Sequence, residues 1–153
     1  MDSNSMRVFI DTNIFLDFIQ KRPVGVKEAK AIFMLSAQNA ITLLVSDLSI
    51  ANTKYATRKE ISIDLFYETI NAIRELFCVV PVGELAVDKS LALKAVDFED
   101  ALQYFSAEQA SADCIVTRNA PDFYFASSVE IIEPKDFLFK YFPDIISLQT
   151  SAT

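Results

Sequence analysis

The chain has 153 residues, 52% of them hydrophobic, and its 14 basic and 21 acidic side chains leave a net charge of −7. It contains no His, which excludes the Ser-His-Asp triad, the His-assisted Cys nucleophile, the HExxH zinc site and a His general base. With only Gly25 and Gly83, neither GxGxxG nor GxxxxGK[ST] can be written, so the remaining chemistry runs on carboxylates, hydroxyls, lysines or a bound hard metal.

In chain order, the first β-branched apolar run, Arg7 to Ile10, reads as a strand that ends in Asp11-Thr12-Asn13. The apolar helix IFLDFI begins at once, and Asp11 or Thr12 is suited to cap it. Val26, Ala29, Ile32 (or Phe33) and Ser36 carry a weaker helical period. A second strand, Ile41 to Val45, leads through Asp47, a candidate cap, into a helix bearing Asn52, Lys54 and Arg58. The clearest amphipathic stripe follows, with Ile63, Phe66, Ile70, Ile73 and Phe77 at spacings of three and four. A third strand is expected at Cys78 to Val82.

Asp97-Phe98-Glu99-Asp100 then opens a helix whose Ala101, Leu102 and Phe105 face the core. Asp97 suits the N-cap, and Glu99 and Asp100 fall in the first turn, where the helix dipole favours negative charge. The fourth strand, Cys114 to Val116, runs into Thr117-Arg118-Asn119-Ala120-Pro121-Asp122-Phe123, a Pro-containing turn, and the fifth spans Val129 to Ile132. Strands alternating with helices predict an α/β protein with a mostly parallel five-stranded sheet covered on both faces. The expected organisation is one domain over 6–142, a flexible segment at 1–5 and a disordered tail at 143–153.

Cys78 and Cys114 sit in apolar strings, as reduced buried thiols do, and a cytosolic location is the default expectation. No apolar run approaches the ~20 residues that span a bilayer, and the N-terminus shows no secretory signal. The acidic balance opposes nonspecific attraction to nucleic acid, so any such contact must be local or helped by cations.

Ligands of open parallel sheets bind beyond the carboxyl ends of the strands, and in several doubly wound orders the first and fourth strands are neighbours. That arrangement brings Asp11, Asp100 and Asp122 to one edge. Three carboxylates within ~5 Å repel by roughly 3 kcal/mol per pair at an effective dielectric of 20, and they persist together by binding protons or cations. An all-oxygen set selects Mg²⁺ or Mn²⁺.

The string RVFIDTNIFLDF, followed downstream by DFEDALQYFSAEQASADCIVTRNAPDF, resembles a PIN domain, the small metal-dependent nuclease fold used by VapC-type toxins of bacterial toxin–antitoxin pairs. The match runs from about Met6 to Phe139. The resemblance implies a three-layer α/β/α fold, with Asp11, Asp100 and Asp122 as catalytic acids holding Mg²⁺ or Mn²⁺ and Asn13 and Thr117 as supporting polar residues. It further implies hydrolysis of RNA phosphodiester bonds and a cognate antitoxin partner. PIN nucleases usually carry a Glu early in the helix after the second strand, where this chain has Asn52. That departure removes a charge unless Glu99 or Asp47 turns inward; the plainer expectation leaves Glu99 solvated and Asp47 as a cap.

Arg118, beside the expected site, and Lys54 and Arg58, four apart on one helix, are candidate contacts to the RNA backbone. The 13 Phe residues, among them Phe123, Phe125, Phe137, Phe139 and Phe142, fill an aromatic core or line a homodimer or antitoxin groove. The competing functional reading is a catalytically weak or inactive PIN-fold RNA-binding or scaffold protein, which Asn52 and the acidic surface favour. A third reading makes every acid a helix cap in an unrelated α/β protein.

Overall fold

The computed structural model describes residues 5–145. Strand β1 (Met6–Ile10) leads to helices α1 (Thr12–Gln20) and α2 (Val26–Ala37), and β2 (Ile41–Ser46) to α3 (Asp47–Ala56) and α4 (Ile63–Ile73). Strand β3 (Cys78–Val80) leads to α5 (Gly83–Leu93) and α6 (Phe98–Gln109), and β4 (Cys114–Val116) passes through a 3₁₀ turn at Ala120–Phe123 to β5 (Glu130–Ile132) and α7 (Pro134–Tyr141). All pairings are parallel, as the alternation of elements predicts, and the order is β3-β2-β1-β4-β5. The chain winds to one side of β1 first and then crosses to the other, so the switch point lies between β1 and β4.

β1, paired on both edges, is apolar throughout its second half because both of its faces are covered. Val8 and Ile10 join Leu43, Val45, Cys114 and Val116 under Ile14, Phe15, Ile32, Phe33 and Phe137 of α1, α2 and α7. Phe9, Leu44 and Ile115 face the other way, onto Tyr104 and Ala107 of α6. This gives the three-layer α/β/α arrangement. Phe123 and Phe137 are core residues, Phe125 and Phe142 pack partly against the two clusters, and Phe139 is 73% exposed.

Three local expectations are corrected. The α4 stripe is present, but Ile63 is 64% exposed and only Phe66 on that helix is buried, because α4 covers just the margin of the core. Phe77 is not part of the helix: the chain tightens into a 3₁₀ turn at Arg74–Leu76, and Phe77 is extended, its ring edge-on to Phe15 in the core. β3 stops at Val80, since Pro81 has no N–H to continue the ladder. At the two ends of the described residues, Ser5 Oγ lies 2.6 Å from Thr42 Oγ1 and Ile145 packs on the first core cluster. Of the two expected tails, residues 1–4 and 146–153 lie outside the described residues. Among the described residues no helix is long and apolar enough to cross a membrane.

Candidate metal centre

Asp11 sits one residue beyond β1, and its N–H continues the sheet by donating to Val116 O at 3.1 Å. This fixes the carboxylate at the switch point, where it caps α1 by accepting from Thr12 N at 2.7 Å. Capping and site membership are compatible, because Oδ1 serves the helix while Oδ2 accepts from Thr117 Oγ1 at 2.9 Å and Asn13 Nδ2 at 3.2 Å. Asn13 also reaches Thr117 Oγ1 and accepts from Arg118 N, so these two polar residues tie the ends of β1 and β4 together.

Opposite, Asp97 caps α6 by accepting from Asp100 N at 3.0 Å, which starts the helix with Glu99 and Asp100 in its first turn. Asp11, Glu99 and Asp100 each offer a carboxylate oxygen within 4.8 Å of the others. They line a cleft of about 260 Å³ with Thr12, Asn13, Leu16, Asp97, Asn119 and Asp122. Asp122 is thus brought to the same cleft from the 3₁₀ turn, but it is exposed and stands outside the tight triplet.

The outcome for the position after β2 is specific. Asn52 Nδ2 donates to Glu99 Oε1 at 3.0 Å, so Glu99 is half-buried and turned inward rather than solvated as expected. Asp47 takes no part: its Oδ1 accepts from Leu48 N and Val82 N, and the cap of α3 is Ser46. Sequence reasoning missed Gln103, fully buried, whose Nε2 donates to Glu99 Oε1 at 2.9 Å. The available signal was its place one helical turn after Glu99 on the same face.

The three cationic candidates are engaged elsewhere. Arg118 makes a two-point ion pair with the buried Asp17, Nε to Oδ2 at 2.6 Å and Nη2 to Oδ1 at 3.0 Å. Lys54 lies over the Phe66 ring and Arg58 over the Tyr55 ring. The Asp17 carboxylate has room for its pairing with Arg118 because residue 25 is a glycine, where a Cβ would come within 2.1 Å of Asp17 Oδ2.

Burial, and then the charge of Glu99, push the Asp11 carboxyl up from 3.8 to about 6, against the hydrogen bonds from Thr117 and Thr12. Burial, and then Asp11, Asp97 and Glu99, push Asp100 up to about 8. A raised acid holds its proton in the folded chain at pH values where the unfolded chain has lost it. Metal-free stability should therefore be greatest near pH 4, fall as pH rises, and level off above about pH 8. Melting curves in chelator across that range test this; stability rising from pH 4 to 8 would contradict it. The donor set fits a hard divalent cation, being all oxygen, anionic and partly desolvated.

Fold and cleft together define a doubly wound α/β/α protein with a carboxylate site at its topological switch point. The chain belongs to the PIN domain family, whose profile matches residues 7–120. It is 26% identical over 140 residues to Ribonuclease VapC1 of Aquifex aeolicus, a match covering 88% of this chain and 94% of that protein. Its fold resembles that of DNA-bound VapBC from Salmonella typhimurium (TM-score 0.64, 17% identity, covering 84% of this chain and 98% of that one). It also resembles VapC20 of Mycobacterium tuberculosis, described as a sarcin-ricin loop cleaving toxin (TM-score 0.62, 11% identity, covering 80% and 98%).

Proposed function

We propose that this chain is a divalent-metal-dependent endoribonuclease, the toxin component of a type II toxin–antitoxin pair, acting in the cytosol. The observation that carries the reading is the convergence of Asp11, Glu99 and Asp100 within 4.8 Å at the carboxyl edge of β1 and β4. The likeness to a curated ribonuclease supports RNA as substrate, and the VapBC neighbours support an antitoxin partner. Asp11, Glu99 and Asp100 would hold Mg²⁺ or Mn²⁺, with Asp122 completing the acidic wall of the cleft. When bound, the cation supplies charge stabilisation at the phosphoryl group and acidifies water. Thr117 and Asn13 keep the Asp11 carboxylate aimed into the cleft, and Asp97 fixes the helix start that presents Glu99 and Asp100. Exposed apolar side chains on α4 (Ile63, Leu65, Tyr67) and α5 (Leu85, Val87, Leu91) support a protein partner, antitoxin or second copy.

The alternative, a PIN-fold RNA-binding or scaffold protein of weak or no turnover, draws on Asn52 and on the engagement of Arg118 away from the cleft. The deciding experiment is incubation of the purified chain with RNA, with and without chelator and with Mn²⁺ or Mg²⁺ restored. Endonucleolytic products that vanish with chelator and return with either ion are expected. RNA binding without cleavage in either ion would favour the alternative.

A further inference from the structure

We infer that Gln103 and Asn52 are positioning residues of the cation site, acting through Glu99; the inference rests on the cation-binding reading proposed above. Gln103 is fully buried on α6, and its carboxamide oxygen accepts from Ser46 Oγ at 2.6 Å. Its Nε2 faces three acceptors: Ser49 Oγ at 2.8 Å, Glu99 Oε1 at 2.9 Å and Thr12 Oγ1 at 3.2 Å. The amide has one sensible orientation. A carboxylate can only accept, and the Ser46 hydroxyl has a proton to donate to the oxygen end of the amide. The nitrogen end of Gln103 must therefore face Glu99.

Asn52 Nδ2 donates to the same Glu99 Oε1 from α3, at 3.0 Å. One oxygen of Glu99 is thus held between two neutral amides carried by different helices. Thr12, adjacent to Asp11, enters the same network through Ser49 Oγ at 2.9 Å. Every element that contributes a carboxylate to the triplet is joined to this network. Its physical purpose follows from repulsion: beside Asp11 and Asp100, a half-buried Glu99 gains by swinging out to water unless donors retain it. Amides retain it without neutralising it, so its negative charge stays available to a cation. A buried glutamine with its donors and acceptor all used is also a poor packing substitute for an apolar residue, so its place is set by what it bonds.

The test is a calorimetric Mn²⁺ titration, with Mn²⁺-induced melting shifts, of wild type, Asp100→Asn, Glu99→Gln, Gln103→Met, Asn52→Leu and the two double variants that combine Glu99→Gln with Gln103→Met or Asn52→Leu. Gln103→Met and Asn52→Leu should each weaken Mn²⁺ binding about 10-fold, as loss of a partner of a metal-holding group does. In the Glu99→Gln background neither should weaken it further, because both act through that carboxylate. Should Gln103→Met fail to fold, the part-exposed Asn52→Leu carries the comparison. Wild-type affinity in both single variants, or equal weakening with and without the Glu99 carboxylate, overturns the inference while Asp100→Asn still reports on the cation site. Absence of any Mn²⁺ binding by wild type overturns the cation reading and the inference together.

Discussion

Asp100→Asn should reduce Mn²⁺-dependent RNA cleavage by about 1,000-fold, equivalent to about 4 kcal/mol of transition-state stabilisation, while raising the melting temperature of the metal-free protein. Asp100 is 8% exposed, beside Asp11 and Glu99, and burial with three neighbouring acids raises its carboxyl to about 8. Without a cation, folding at neutral pH forces that group to keep a proton it would rather release. The amide removes this cost, so the stability advantage of the variant should be absent below pH 4 and grow toward pH 8. At this chain length 1 kcal/mol corresponds to about 2–4 °C. Loss of activity with gain of stability separates a functional acid from a structural one; a helix-capping role alone predicts loss of stability and retained cleavage.

Arg118→Ala should destabilise the protein by about 3 kcal/mol, near the lower end for breaking a buried ion pair by removing one partner. Asp17 is fully buried, and its two oxygens face the guanidinium of Arg118, whose side chain is 28% exposed. The change strands a carboxylate in the first core layer, whereas Asp17→Asn combined with Arg118→Met removes both charges and should recover part of the loss. Denaturant unfolding of wild type and these two variants measures this. If Arg118→Ala left stability untouched and weakened RNA binding alone, the arginine would be a phosphate contact after all.

These residues also show what a sequence can and cannot reveal. The order strand, Asp11, helix, and the later pairing of an acidic helix start with a β4 strand, are local patterns, and the parallel topology that joins them follows from alternation of elements. Asp11 and Asp100 were legible for that reason. Whether Glu99 faces water or the cleft depends on donors 47 positions away in the chain and one turn along α6, a matter of packing that no local pattern states. The engagement of Arg118 likewise depends on Asp17, 101 residues distant, and on the absence of a side chain at Gly25. Phe77 shared the α4 period by spacing alone, while a 3₁₀ turn carried it into a different part of the core.

The most direct measurement is the number of protons released when Mn²⁺ binds at pH 7, from titration calorimetry in buffers of different ionisation enthalpy. With Asp100 raised to about 8 and Asp11 to about 6, the metal-free site holds a proton that a cation must displace. One Mn²⁺ per chain should bind with release of about one proton, and Asp100→Asn should bind more weakly and release almost none. Binding without proton release, or with the same release in Asp100→Asn, would contradict a cation held by these buried acids.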